Sequence, residues 1–478
     1  VTPLTARIPS LLAAVLTVLL TYAIGARLFN ARIGFWAGIV LMTCGRFWWQ
    51  AHTGQIDMLL TGCVTAGFYA LVRWDEDRRA KWLMLLYFSM TLGMLAKGPP
   101  AIVFPLLFAF SYYWKDGAAL RKLHLIPGLL CVVGLTALWY VPARMAAADT
   151  AMEAARGGIG ENLFRNTIGR IFLGVSKAEW PWYYLKTLPV DWLPWSVFLP
   201  WTLPWWWRRR KTEAGPRLLW FWIMPALVFF SICVGKRAIY ILPLYPGMAI
   251  LFAASVLALM EADRPVWRRR TGLAWGGLLL VIALAPGVLP FTEHHESFTP
   301  SLWGIMVLLL LVCFLSWYGL RVYEQHLHRT IAKSMAAVML IVAVLGFPII
   351  NEYKSAKDFC APVRELAEQG VAFRLYSVGF SREEYVYYAG SFHEERFTGL
   401  VGEGDIPPEA LLDTAKQQKA ARKLIEDAVE DVPVADIDAP SWSELDALRG
   451  ALESAVEQSD DPAAILAFED ELEQEVDA

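Results

Sequence analysis

The chain has 478 residues, of which 56% are apolar, and a formal net charge of only −3. That apolar content is well above an ordinary soluble domain. The small net charge conceals two opposed halves: residues 403–478 carry 22 acidic against 5 basic side chains, and the remainder 24 against 38.

A membrane span needs about 20 mostly apolar residues. Taken in order, the sequence predicts twelve, at about 8–26, 33–50, 56–72, 82–96, 99–114, 124–143, 188–207, 218–234, 238–259, 272–291, 301–320 and 332–350. This is an all-α polytopic membrane domain over 1–350. Within it, 147–187 is a large loop outside the spans. Beyond it, 351–402 reads as a small α/β module, with a helix near 359–370, a strand near 371–378 and a second helix near 382–390. Residues 403–478 form an acidic tail. The chain opens at Val1 in what reads as a loop, so a missing N-terminal span is expected, bringing the total to thirteen. The 22 Trp suit a protein rich in membrane interfaces.

Lysine and arginine set the orientation. Alternate loops hold 21 of them, including Arg73, Arg78, Arg79, Arg208, Arg209, Arg210 and Lys211, while the other short loops hold five: Arg7, Arg46, Lys97, Lys236 and Arg237. The first set is cytoplasmic. The large loop and the C-terminus are then periplasmic in a bacterial inner membrane. The five basic residues on the outer side are not explained by topology, so each is a candidate anion contact. A snorkelling anchor also accounts for Arg7 and Lys97.

Chemistry-bearing residues gather on that outer side. Asp57 opens an apolar helix, where a carboxylate meets the positive helix end or orients a sugar hydroxyl, cation or metal. Lys97 precedes Gly98-Pro99-Pro100 at a membrane turn, beside exposed helix-end N–H groups. Glu161–Leu173 has the pattern of a surface amphipathic helix flanked by Arg165 and Arg170. Lys177, Glu179 and the run Trp180-Pro181-Trp182-Tyr183-Tyr184 follow, then Asp191. The stretch Gly235-Lys236-Arg237-Ala238-Ile239-Tyr240 places two cations and a phenol at a reversal, and charges at membrane depth usually mark function. Arg46, Arg170, Glu179, Trp182 and Tyr183 are assigned to substrate or interface contact. His294 and His295 read as a solvated turn, and the six cysteines show no metal-ligand spacing. Absence of Walker A, GxSxG, HExxH and CxxC patterns removes support for ATP-driven transport, serine hydrolysis and zinc peptidase chemistry.

The ordered motifs are Asp57 after the second outer loop, Leu95-Ala96-Lys97-Gly98-Pro99, Pro181-Trp182-Tyr183-Tyr184, and Gly235-Lys236-Arg237-Ala238-Ile239-Tyr240-Ile241-Leu242-Pro243. Together they resemble polyprenyl-phosphate-dependent glycosyltransferases of the GT-C superfamily. The nearest group is the bacterial aminoarabinose-lipid A transferase and protein O-mannosyltransferase-like (glycosyltransferase family 39-like) group. The resemblance covers about residues 4–350. It implies transfer of a sugar from a polyprenyl-phosphate-linked donor to a lipid A, other glycan or protein acceptor at the periplasmic face, with membrane lipid as surroundings and no nucleic-acid partner. It assigns Lys97, Lys236, Arg237 and Tyr240 to the donor phosphate and Asp57 as a supporting acid. The family's catalytic Asp-Glu pair lies just before the position matched by Val1, so no catalytic base is expected within the chain, and the fragment itself is expected to be inactive. Where the family often has a metal-binding His, this chain has Lys177-Ala178-Glu179-Trp180; a divalent metal is left open, with Glu179 as its only substitute ligand. A lipid-linked saccharide flippase without chemistry and a structural membrane subunit are the competing readings.

Overall fold

The computed structural model describes residues 3–147, 179–262, 264–291, 300–322 and 326–349, and, beyond these, 360, 361, 365, 375–377 and 397–400. The chain divides into two compact units, Val1–Thr292 with Ser297–Ser355, and Glu293–Glu296 with Ala356–Ala478.

The regular elements described in the first unit are all helices. Helices α1 (Pro3–Leu28), α2 (Ala31–Met42), α3 (Gly45–His52), α4 (Ile56–Asp77), α5 (Ala80–Lys97), α6 (Pro100–Tyr113), α7 (Gly117–Lys122) and α8 (Leu125–Ala147) precede the stretch 148–178, which lies outside the described residues. After it come α9 (Tyr183–Asp191), α10 (Leu199–Arg209), α11 (Ala214–Ile232), α12 (Tyr245–Glu261), α13 (Pro265–Leu284), α14 (Pro300–Val322) and α15 (Leu327–Ile341). Eight helical segments, counted among the described residues, are long and apolar enough to cross a membrane. They coincide with eight of the twelve predicted spans.

Of the other four, two are broken, for visible reasons. The stretch 33–50 is two helices, since Thr43 caps α2 and Cys44 turns the chain into α3. At about 1.5 Å per residue, α2 reaches roughly 18 Å, short of a ~30 Å hydrocarbon layer. The stretch 188–207 breaks into α9, a 3₁₀ turn over Trp195–Phe198, and α10; Pro194 stands at the break, and Pro200 falls in the first turn of α10, where its missing N–H is tolerated. Helices α5 and α6 are separate, as expected. Gly98 joins them at φ 90°, ψ −151°, a region open in practice to glycine alone, and Pro99 and Pro100 start the next helix.

Helix α12 is the centre of the bundle. It is apolar all round and buried on nearly every face, which marks a helix enclosed by protein. It packs on α1, α2, α10 and α11. Ser255 fixes one of these contacts: its hydroxyl meets Thr202 at 2.8 Å and its carbonyl accepts the Trp201 indole N–H at 2.9 Å. Helices α1 and α2 cross where a Cβ on Gly34 would lie 2.5 Å from the Tyr22 carbonyl oxygen. Small residues let membrane helices approach this closely.

In the second unit, β1 (Leu375–Ser377) pairs in parallel with β2 (Phe397–Leu400). Strand β1 falls within the stretch 371–378, whose other residues lie outside the described ones. The helices expected near 359–370 and 382–390 fall almost wholly outside the described residues. Arg165, Arg170, Lys177, His294, His295 and the acidic tail also lie outside the described residues.

Candidate functional site

Two helix ends build the first part of the site. Asp57 is the second residue of α4 and Lys97 the last of α5. An anion at a helix N-terminus and a cation at a helix C-terminus are each favoured by the backbone dipoles. Consecutive antiparallel packing of α4 on α5 brings those ends together, and the Lys97 ammonium donates to Asp57 Oδ1. Asp57 is buried, while Lys97 keeps some exposure. The ammonium also lies 5.1 Å from the centroid of the Tyr240 ring, a cation–π distance. Tyr240 stands in the 3₁₀ turn Ala238–Leu244 that leads into α12.

The sequence grouped Lys236, Arg237 and Tyr240 with Lys97 as phosphate contacts; the structure keeps Tyr240 beside Lys97 and gives Lys236 and Arg237 different surroundings. Lys236 is 2% exposed. Its ammonium donates to the carbonyl oxygens of Cys233, just past the end of α11, and of Glu179, the latter at 2.7 Å. The Glu179 N–H in turn donates to Val234 O at 3.2 Å. Lys236 therefore caps α11 and pins the incoming chain, and it does not present its charge outward. Arg237 does: its backbone is extended at φ −140°, ψ 144° and its side chain is exposed. Successive side chains on extended backbone point to opposite sides, so one cation turns in and the next turns out.

Helix α9 links this corner to a second one. Its two buried residues, Tyr184 and Asp191, are seven apart and share one face. The Tyr184 hydroxyl donates to Arg237 O at 3.3 Å. Burial, reinforced by Tyr183 and Tyr240, holds its pKa far above the ordinary phenol value, so it stays a neutral donor. Two turns on, Asp191 Oδ1 accepts from both Arg46 Nε, at 3.0 Å, and Arg46 Nη2. Arg46 is the second residue of α3. Cys44 donates to the Asp191 carbonyl at 3.3 Å, and the Gly45 N–H to Leu193 O at 2.8 Å, so α3 is tied to the end of α9 by backbone as well as charge. This pairing was not foreseen. Its only sequence signal is a lone Asp within a Trp- and Pro-rich apolar run.

Before α9, Trp180 and Trp182 stack with ring centroids 5.0 Å apart and an interplanar angle of 7°, both well exposed. Tyr183 is half-buried and meets Tyr184 edge-on at 5.3 Å. Glu179 is exposed at the side chain. Among the described residues no three His, Cys, Asp or Glu side chains converge as a metal-ligand set. Glu179 is therefore not joined by such a set among the described residues.

Comparison with known proteins follows the same lines. The pattern of the dolichyl-phosphate-mannose-protein mannosyltransferase family matches residues 2–140. An undecaprenyl phosphate-alpha-4-amino-4-deoxy-L-arabinose arabinosyl transferase of Pseudomonas aeruginosa (strain LESB58) is 27% identical over 350 residues, covering 70% of this chain and 60% of the relative. The like-named protein of Pectobacterium carotovorum subsp. carotovorum (strain PC1) is 26% identical over 352 residues, covering 71% and 61%. The chain thus spans about 60% of the length of these curated relatives. The crystal structure of ArnT from Cupriavidus metallidurans bound to undecaprenyl phosphate superposes with TM-score 0.65 at 19% identity, covering 87% of this chain and 74% of that one. Its apo state gives 0.66. The resemblance read from the ordered motifs is found again in sequence and in fold.

Proposed function

We propose that the protein is a multi-pass inner-membrane glycosyltransferase that moves a sugar from a polyprenyl-phosphate donor to a lipid acceptor at the periplasmic face. The observation that carries this is Lys97, held on Asp57 against the Tyr240 ring at the end of the bundle that is poor in Lys and Arg. Similarity to arabinosyl transferases named for an undecaprenyl-phosphate sugar supports the donor class.

In the reaction the acceptor oxygen attacks the anomeric carbon. The bond from that carbon to the phosphate oxygen breaks, and the electron pair leaves with the phosphate. Preorganised cations that meet the developing charge lower the barrier. Lys97 supplies one, oriented by Asp57, which is engaged in that pair and is therefore a positioning carboxylate. Tyr240 packs on the ammonium, and Arg237 is exposed just before the same turn. Lys236 acts indirectly, by fixing the turn that carries Arg237 and Tyr240. None of these residues is assigned the base that takes the acceptor's proton. The basic residues of alternate loops support twelve crossings, with the four shorter or broken segments completing those of the eight long helices, and a periplasmic α/β module over 351–402.

The test uses membranes containing the natural full-length protein and a donor radiolabelled in the sugar. Label should move to an acceptor with release of polyprenyl phosphate, and Lys97→Ala should abolish it. Label that crosses the membrane with its sugar–phosphate bond intact would replace the enzyme by a flippase.

A further inference from the structure

The Arg46–Asp191 corner is not used by the reaction just described. Its Asp191 side chain is 8% exposed and its Arg46 side chain 29% exposed. Burial of a carboxylate is unfavourable unless it is paired and hydrogen-bonded. Only Oδ1 is paired: among the described residues, Asp191 Oδ2, the Trp192 indole N–H and the Tyr245 hydroxyl have no hydrogen-bond partner. Trp192 and Tyr245 meet edge-on with ring centroids at 4.9 Å. Tyr245 lies within electrostatic range of Asp191, Arg46, Cys44 and Tyr184. Such a corner is poorly suited to stability alone. What it does achieve is a guanidinium whose Nε and Nη2 are both held by one buried carboxylate oxygen, while the side chain remains 29% exposed. Arg presents planar, fixed donors suited to phosphate oxygens.

The position is set by α9. Tyr184 at one end touches the Arg237 turn, and Asp191 at the other holds Arg46. Seven residues of helix separate them by about 10 Å, further than one phosphate group bridges. Resting on the glycosyltransferase reading, we propose that Arg46 is a second anion-binding residue of the site. It takes the phosphate ester of a membrane lipid other than the donor's leaving phosphate, with Asp191 as its positioning residue. The lipid is either the acceptor or a phospholipid of the periplasmic leaflet, and the chemistry recognised is the same.

The test uses the full-length natural protein with Arg46→Lys, Arg46→Gln and the paired variant Arg46→Gln/Asp191→Asn. The last removes both charges together and leaves no buried ion alone. In a transfer assay, the acceptor arm should show at least a tenfold rise in acceptor KM for the paired variant, with donor KM and kcat within threefold of wild type. Arg46→Lys should recover part of the loss. In a binding arm, short-chain phosphatidic acid should raise the unfolding temperature of wild type and not of the paired variant, with phosphatidylcholine as control. Loss in the first arm identifies the acceptor and loss in the second a phospholipid. A folded paired variant unchanged in both arms overturns the proposal. Failure of wild type to transfer sugar would count against the enzyme reading alone, because the binding arm still reports on Arg46.

Discussion

Replacing Asp57 and Lys97 singly and together separates what their pair does for folding from what it does for chemistry. Both side chains are largely shielded, at 8% and 17% exposure. At an effective dielectric of about 20 and a charge separation of about 4 Å, their attraction is roughly 4 kcal/mol. Desolvation opposes most of it, so the pair adds little net stability. Removing one partner leaves a shielded charge alone, which costs about 3–5 kcal/mol. Asp57→Asn and Lys97→Met should therefore each lower the unfolding midpoint, followed by tryptophan fluorescence in detergent. Asp57→Leu/Lys97→Met should return it close to wild type, since apolar replacement of a whole buried pair is often neutral. Transfer behaves differently. Losing one preorganised contact to a developing oxyanion costs about 10²–10³ in kcat, so the stable double variant should be as inactive as the single ones. A folded double variant whose transfer stays within tenfold of wild type would refute the phosphate assignment.

Lys236 and Arg237 should divide the same way. Lys236→Ala removes the donor to the Cys233 and Glu179 carbonyls and should destabilise by about 1–3 kcal/mol, chiefly through the buried Cys233 acceptor. Arg237→Ala should change stability by less than about 0.5 kcal/mol while raising donor KM, read in the same two assays. Gly98→Ala meets no atom within 4 Å, but its φ of 90° is strained for any side chain. It should cost about 1–3 kcal/mol and reduce transfer by displacing Lys97. Gly34→Ala would press a Cβ to 2.5 Å from Tyr22 O and 2.7 Å from Ala26 N. Overpacking of this kind costs about 1–3 kcal/mol or more, with kcat of the surviving folded fraction unchanged.

Much of this site could be read directly from the chain. Apolar length and the alternation of basic loops are local properties, and they locate eight helices and the end of the bundle where Lys97 is anomalous. Asp57 and Lys97 were legible because each sits at a helix terminus, where sequence fixes both position and electrostatic preference. The broken stretches 33–50 and 188–207 were harder, because mean apolarity does not report where a helix stops. Tertiary structure alone decided three things. Asp191 meets Arg46 across 145 positions of sequence, a pairing no local pattern encodes. The single face of α9 joins that pair to the Arg237 turn. Lys236 and Arg237, identical in charge and adjacent in sequence, part ways at an extended turn that sends one into carbonyl oxygens and the other to the surface. Sequence determined that two cations stand there; backbone direction determined which one is available to a ligand.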